Sequence, residues 1–269
     1  ALIGGLVFGI GMVLARGCVS RLLVLGASGN LRGIFSIAII GVTALATYSG
    51  VLVPLRDGIG SIFSTAAIGG NDLLVHAGLE RWAGIALGGV LAVIALGFAF
   101  KSKLSVWRLF GGIMIGLTVA AGWYFTWQLS TQVFEPIQAE SLSFIRPLAT
   151  TGELALESGF AGLDQGVLIG AILGAFVAAL VSGEFRISTF AEPGVPSIWR
   201  YAAGSVLMGF GGILAVGCTI GAGLTGGSVL AVSSLLGLAS MMAGAALAQL
   251  VLRSTVRQQP GSAQVIAAE

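Results

Sequence analysis

The stretch Gly204–Ser228, GSVLMGFGGILAVGCTIGAGLTGGS, holds nine glycines in 25 residues and one of the two cysteines in the chain. Its opening half has a counterpart near the N-terminus. Gly9, Gly11, Leu14, Ala15, Gly17 and Cys18 match Gly209, Gly211, Leu214, Ala215, Gly217 and Cys218, each pair 200 residues apart. Gly4 with Gly204 and Ser28 with Ser228 keep the same offset of 200. Six identities in the ten positions 9–18, with the only two cysteines in register, mark an internal repeat with signatures at 4–28 and 204–228. Each copy reads as an apolar helix that breaks at Gly-Cys and goes on as a segment rich in small and hydroxyl residues.

The whole 269-residue chain is 56% hydrophobic and 9% charged, against about 25% charged in soluble domains. So few charges cannot cover a water-facing surface, which makes the chain an integral membrane protein. The net charge of +2 then gives no ground for a nucleic-acid partner; membrane lipid is the surrounding partner. Two cysteines inside apolar elements do not make a disulfide framework. Ala1–Leu14 lacks the charged n-region of a cleavable signal peptide and belongs to the repeat; an apolar opening leaves room for a preceding segment.

A hydrocarbon core of about 30 Å needs about 20 apolar helical residues. The pattern predicts spans at 2–17, 33–53, 81–100, 105–128, 164–183, 199–217 and 230–252, in one transmembrane domain over 1–269. Gly84/Gly88, Gly112/Gly116 and Gly166/Gly170/Gly174 have the small-xxx-small spacing of close helix packing. Pro54–Glu80 and Ser130–Leu163 mix apolar residues with Gly, Ser and Thr. They read as short, partly inserted or interfacial helices, or equally as loops. Trp107, Trp123, Trp127 and Trp199 suit interfacial belts. Lys101, Lys103 and Arg108, Arg186 and Arg200, Arg253 and Arg257, and Arg16, Arg21 and Arg32 place their segments on the cytoplasmic side. Span 2–17 then runs inward and span 199–217 outward, so the two copies form an inverted-topology repeat.

A helix interrupted at membrane depth offers the backbone N–H groups of the following half-helix, and its dipole, to an anion. Gly17, Gly217, Gly221 and Gly223 allow close approach, and Ser20, Thr219, Thr225 and Ser228 add hydroxyl donors. GAGLTGGS has the look of a phosphate-cradling loop but lacks the P-loop lysine, which argues against nucleotide hydrolysis. Cys18 and Cys218, placed at both breaks, would line one path; the competing assignment is plain packing by small residues and buried thiols. Arg16, Arg21 and Arg32 would draw anions to the cytoplasmic mouth, or serve topology alone. His76 stands without a metal-ligand pattern, and no metal or cofactor is implied. Cys18 beside Arg16 and Arg21 also leaves open a membrane-embedded sulfurtransferase with a persulfide-carrying cysteine.

GLVFGIGMVLARGCVSRLLVLGASGNLRG and GFGGILAVGCTIGAGLTGGS resemble the two signature segments of the YeeE/YedE family of sulfur-compound transporters. The specific motifs cover about 50 residues, and the likeness in hydropathy nearly the whole chain. The resemblance implies an all-α, polytopic protein with inverted halves, broken helices, short inserted helices and an hourglass interior. It implies import of thiosulfate or a related sulfur or selenium species across the inner (plasma) membrane. It also implies a relay of the anion by cysteines, here Cys18 and Cys218, no enzymatic activity, and a cytoplasmic TusA-like sulfur carrier as a partner. Two departures stand out. Thiosulfate-importing members carry a third pathway cysteine, whose place falls within Pro54–Gly89, where this chain has none. Arg16 fills a slot where a small residue is commoner.

Overall fold

The computed structural model of the chain describes residues 1–62, 70–76, 78, 81–102, 104–132, 141–156, 162–192 and 195–257. Lys103 and parts of both mixed stretches lie outside the described residues. Among those described, the chain is all helical, with only isolated bridges between extended residues. The first helices are α1 (Leu2–Leu14), α2 (Val19–Ala27), α3 (Leu31–Tyr48), α4 (Val53–Ile62) and α5 (Leu73–His76). Then come α6 (Arg81–Lys101), α7 (Val106–Ser130), α8 (Ile145–Leu156), α9 (Leu163–Val181) and α10 (Ile198–Leu214). A π-helix, Gly221–Gly226, and α11 (Val232–Arg257) complete the order. Six apolar stretches among the described residues are long enough to cross a membrane: α1 with α2, α3, α6, α7, α9 and α11. The seventh expected span is α10, which at 17 residues is shorter than these.

The centre of the molecule is the crossing of α1 with α10, where glycines remove every side chain that would hold the backbones apart. A Cβ on Gly4 would lie 2.5 Å from Ala215 N, and one on Gly204 would lie 2.7 Å from Ala15 N. A Cβ on Gly11 would meet Gly204 O at 2.6 Å, and one on Gly211 would meet Gly4 O at 2.7 Å. Each contact is the other with the two copies exchanged, so the pair is antiparallel and isologous about a pseudo-two-fold axis. An axis that inverts two spanning helices is perpendicular to them and lies in the membrane plane. The symmetry extends outward, with α11 flanking α1 as α3 flanks α10. Gly9 abuts Met241 O and Ala245 N, while Gly209 abuts Ile40 O and Ala44 N. Phe8, Ile40, Met208 and Met241 fill this core with no exposed surface.

The expected span 33–53 stops at Tyr48, and Val53 begins a separate helix, α4. Arg56 caps the end of α3, donating to Tyr48 O at 2.8 Å, so the chain turns where carbonyls would otherwise lack partners. Helix α8 is inserted rather than lying as a loop: Ile145, Pro147, Leu148 and Ala149 are buried, and it packs against α3 and α9. The small-xxx-small series takes no part in packing among the described residues, apart from Gly84 beside Leu74. A Cβ at Gly88, Gly112, Gly116, Gly166, Gly170 or Gly174 would meet none of them within 4 Å. Helices α6, α7 and α9 present these positions outward, with apolar side chains such as Ile85, Val93, Phe98 and Ile169 exposed toward lipid.

Candidate functional site

Both apolar helices end in the same turn. After α1, Ala15 N donates to Gly11 O at 2.9 Å and Gly17 N to Met12 O at 3.0 Å. After α10, Ala215 N donates to Gly211 O at 2.8 Å and Gly217 N to Gly212 O at 3.0 Å. The second bond of each pair is the six-to-one bond of a Schellman motif, which requires a left-handed residue just before it. That residue is Arg16 (φ 57°) in one copy and Val216 (φ 62°) in the other. Neither is glycine, so both turns hold a conformation costing about 1–2 kcal/mol. The breaks therefore begin at Ala15 and Ala215, ahead of the Gly-Cys pairs.

The turn leaves each cysteine in the cap position of the next helix. Cys18 O accepts from Leu22 N at 3.0 Å and Cys218 O from Ala222 N at 2.8 Å. The Cys18 sulfur faces the N–H groups of Ser20 and Arg21, where a capping oxygen would sit, and contacts Ser20 Oγ at 3.1 Å. The Thr219 side chain also lies close to it. This last contact joins the two copies. Ala215 packs beside Gly4, so along α1 the two turns stand about 16 Å apart at 1.5 Å per residue. For Thr219 to reach Cys18, the chain must fold back toward the crossing after the breaks. The starts of two half-helices thus converge near the pseudo-axis. Cys18 is half-buried, and Cys218 has no exposed surface.

The copies diverge beyond the cysteine. The second has one more residue between its break and the next long helix. Ala231 N donates to Gly226 O as Asn30 N does to Leu25 O, and left-handed Leu230 replaces left-handed Gly29, offsets of 201 rather than 200. The extra residue falls between Ala222 and Gly226, where the helix is π, the usual form of a one-residue insertion. Structurally Ser28 is thus matched by Val229, although Ser28 and Ser228 align in sequence.

Several expected donors have other work. Thr225 Oγ1 donates to Leu142 O at 2.7 Å, and Ser228 Oγ donates to Thr225 O at 2.7 Å while accepting from Trp123 Nε1 at 3.0 Å. Trp123 is thereby tied to the second break as well as lying near a span end. Arg32 pairs with Glu192 at 2.9 Å and holds Asn30 Oδ1, fastening residues 186–192 to the end of α2. Arg16 and Arg21 are exposed. Among the described residues, a Cβ on Gly223 would meet only Leu238, at 3.6 Å. His76 Nδ1 donates to Asp72 O at 2.7 Å within its own turn.

Beside the second break lies a cavity of about 500 Å³. Gly217 and Gly221 form part of its wall, and its polar lining includes Asn71, Trp123, Ser141, Ser143, Arg146 and Thr225. Of these, sequence reading singled out only the glycines and Thr225 as site residues. The available signal for the rest was SFIRPLATTGEL, an arginine next to a proline inside an otherwise apolar stretch.

A family model described as sulphur transport matches residues 1–247. The chain is 29% identical over 243 residues to the thiosulfate transporter TsuA of Spirochaeta thermophila, covering 82% of this chain and 67% of that protein. It is 26% identical over 244 residues to the thiosulfate transporter TsuA of Escherichia coli K12, covering 81% of this chain and 64% of that protein. The chain thus spans about two thirds of the length of these relatives. Both are named transporters, not enzymes, which removes the ground for the sulfurtransferase alternative.

Proposed function

Since the chain belongs to the sulphur-transport family, we propose that it carries a small sulfur-containing anion, thiosulfate before others, into the cell across the inner (plasma) membrane. The observation that supports the reading most is the meeting of two inverted helix breaks at Cys18 and Thr219. An ion at membrane depth is costly unless fixed donors replace its water. Two half-helix starts aimed at one region bring backbone N–H groups there, and Ser20 and Thr219 add hydroxyls.

In this reading Cys18 touches the anion directly, and Cys218 stands at the closed constriction on the other side of the pseudo-axis. A thiol is a weak donor and a polarizable surface, so it holds the anion without trapping it, as conduction requires. The hydroxyls of Thr225 and Ser228 shape the second break through their carbonyl contacts, while Gly17, Gly217, Gly221 and Gly223 keep the wall close to the ion. Exposed Arg16 and Arg21 mark the cytoplasmic exit, and a TusA-like carrier would collect the sulfur species there. Arg32 holds the end of α2 at that exit. The test is counterflow of radiolabelled thiosulfate in vesicles containing only this protein. Accumulation driven by internal unlabelled thiosulfate is expected; no accumulation above empty vesicles overturns the assignment.

A further inference from the structure

The geometry points to the hydroxyls of Ser234 and Ser143 as the donors that receive the anion in the cavity beside the second break. The inference rests on the transport reading for its purpose, while the site itself rests on which donors face the space. Arg146 turns its guanidinium toward Asp164, with Nε at 3.5 Å, and Asp164 does not line the cavity. A ligand there must be held by neutral groups.

A hydroxyl has one proton to give, and an indole one N–H. Ser141 Oγ donates to Val119 O at 2.7 Å, Thr225 Oγ1 donates to Leu142 O at 2.7 Å, and Trp123 Nε1 donates to Ser228 Oγ. Asn71 Oδ1 accepts from Ser233 N at 2.8 Å. These four hold the wall together. Ser143 and Ser234 line the same wall, and their hydroxyls have no partner among the described residues. Ser234 is only 7% exposed, so a ligand or water in the cavity is what can satisfy it.

The fold does not demand a hydroxyl at Ser234. Ser234 N donates to Ala231 O at 3.1 Å as Gly33 N donates to Asn30 O at 3.0 Å, so the serine takes the place of Gly33 at the offset of 201. At the same offset Gly226 takes the place of Leu25. The first copy closes this turn with a leucine and a glycine; the second moves the glycine onto the π-helix and sets a hydroxyl over it.

The two serines lie against one face of the π-helix. A Cβ on Gly221 would stand 3.1 Å from Ser143 Oγ, and one on Gly226 would collide with Ser234 Oγ. Residues five apart close one π turn, which sets these glycines one above the other, about 7 Å apart at about 1.5 Å per residue. Hydroxyls over them can hold one small tetrahedral oxyanion between them, each bonding a different oxygen at about 2.7 Å. Ser234 stands in the first turn of α11, where the helix dipole favours a negative charge. A cavity of about 500 Å³ exceeds what one such ion fills, so the ion keeps part of its water here and sheds it further on, at the break.

The test uses the full chain purified in detergent and the same protein in vesicles. Radiolabelled thiosulfate and radiolabelled sulfate are titrated by equilibrium binding. Wild type should bind in a saturable way. Ser234→Ala and Ser143→Ala should each weaken binding about three- to tenfold, the loss of one neutral hydrogen bond, and the double variant about 10- to 100-fold. Ser143→Thr, which keeps the hydroxyl, should stay within about twofold of wild type. In uptake, the double variant should raise KM with Vmax little changed. Serines that only pack α11 and the start of α8 would shift the melting temperature and leave Kd alone. An unchanged Kd in the double variant, or wild type without saturable binding of either anion, overturns the site. Saturable, serine-dependent binding by a wild type that shows no uptake would leave the site standing and sink transport instead.

Discussion

The two helix breaks share one backbone turn and use it differently. Ala15-Arg16-Gly17-Cys18 and Ala215-Val216-Gly217-Cys218 share the six-to-one hydrogen bond and the left-handed second residue. Yet Cys18 is half-buried beside Ser20 and Thr219, while Cys218 is sealed in the core. After Cys18 the chain is a regular α-helix; after Cys218 it takes up an extra residue as a π-helix whose wall opens to a cavity. Duplication therefore preserves the turn, which sets where a half-helix starts. The residues after it decide whether the start becomes a contact for an ion or a wall of a vestibule.

Breaking the shared part should have the largest effect. Gly11→Leu and Gly211→Leu both force a side chain into backbone less than 3 Å away, and should abolish folded protein in the membrane to a similar degree. Gly88→Leu, which meets nothing within 4 Å among the described residues, should leave yield unchanged, as read by size-exclusion profile. A severe loss in only one of the two crossing variants would break the symmetry.

Removing the insertion comes next. Deleting Gly223 should let the second break wind as α2 does, keeping folded yield while reducing thiosulfate uptake at least about tenfold, since Gly221 and Thr225 would no longer face the cavity together. Full uptake would mean that the π-helix has no bearing on the path.

The cysteines separate the copies more finely. Cys18→Ala should lower uptake about three- to tenfold with melting unchanged, the worth of one neutral hydrogen bond. Cys218→Ala should lower uptake by a similar factor and also destabilise the protein by about 1 kcal/mol, because its sulfur fills a fully buried space. Cys→Ser at either place should be milder if hydrogen bonding alone matters, and as severe as alanine if sulfur exchange does. The smallest effect belongs to the strained residue itself: Val216→Gly should raise stability by about 1 kcal/mol, and Arg16→Gly by no more than that. A fall in melting temperature for Val216→Gly would contradict the left-handed turn.

Much of this was legible in the sequence. The constant offset of the Gly-Cys motifs carried the repeat, and arginine and lysine placement carried its inversion. The contacts of Gly4 and Gly11 with the opposite copy bear both out. Other features depend on packing that no local pattern records. Residues Gly84 to Gly174 have the same spacing as packing glycines, but spacing cannot say which face meets a neighbour. The one-residue slip after Ala222 is hidden because Ser28 and Ser228 align by chance across it. Ser143 was passed over because its place in the cavity wall comes from the start of α8 sitting beside Gly221, 78 residues away in the sequence.

The claim that one anion path runs between the two breaks is tested most directly by joining them. Thr219→Cys in a Cys218→Ala background places a second thiol beside Cys18, close enough for a disulfide if the breaks converge. Oxidation should link the pair and cut thiosulfate uptake to a tenth or less, by about the factor one lost constriction contact and a fixed gap imply, with reductant restoring it. A pair that does not crosslink, or one that crosslinks and still transports at the unlinked rate, would contradict it.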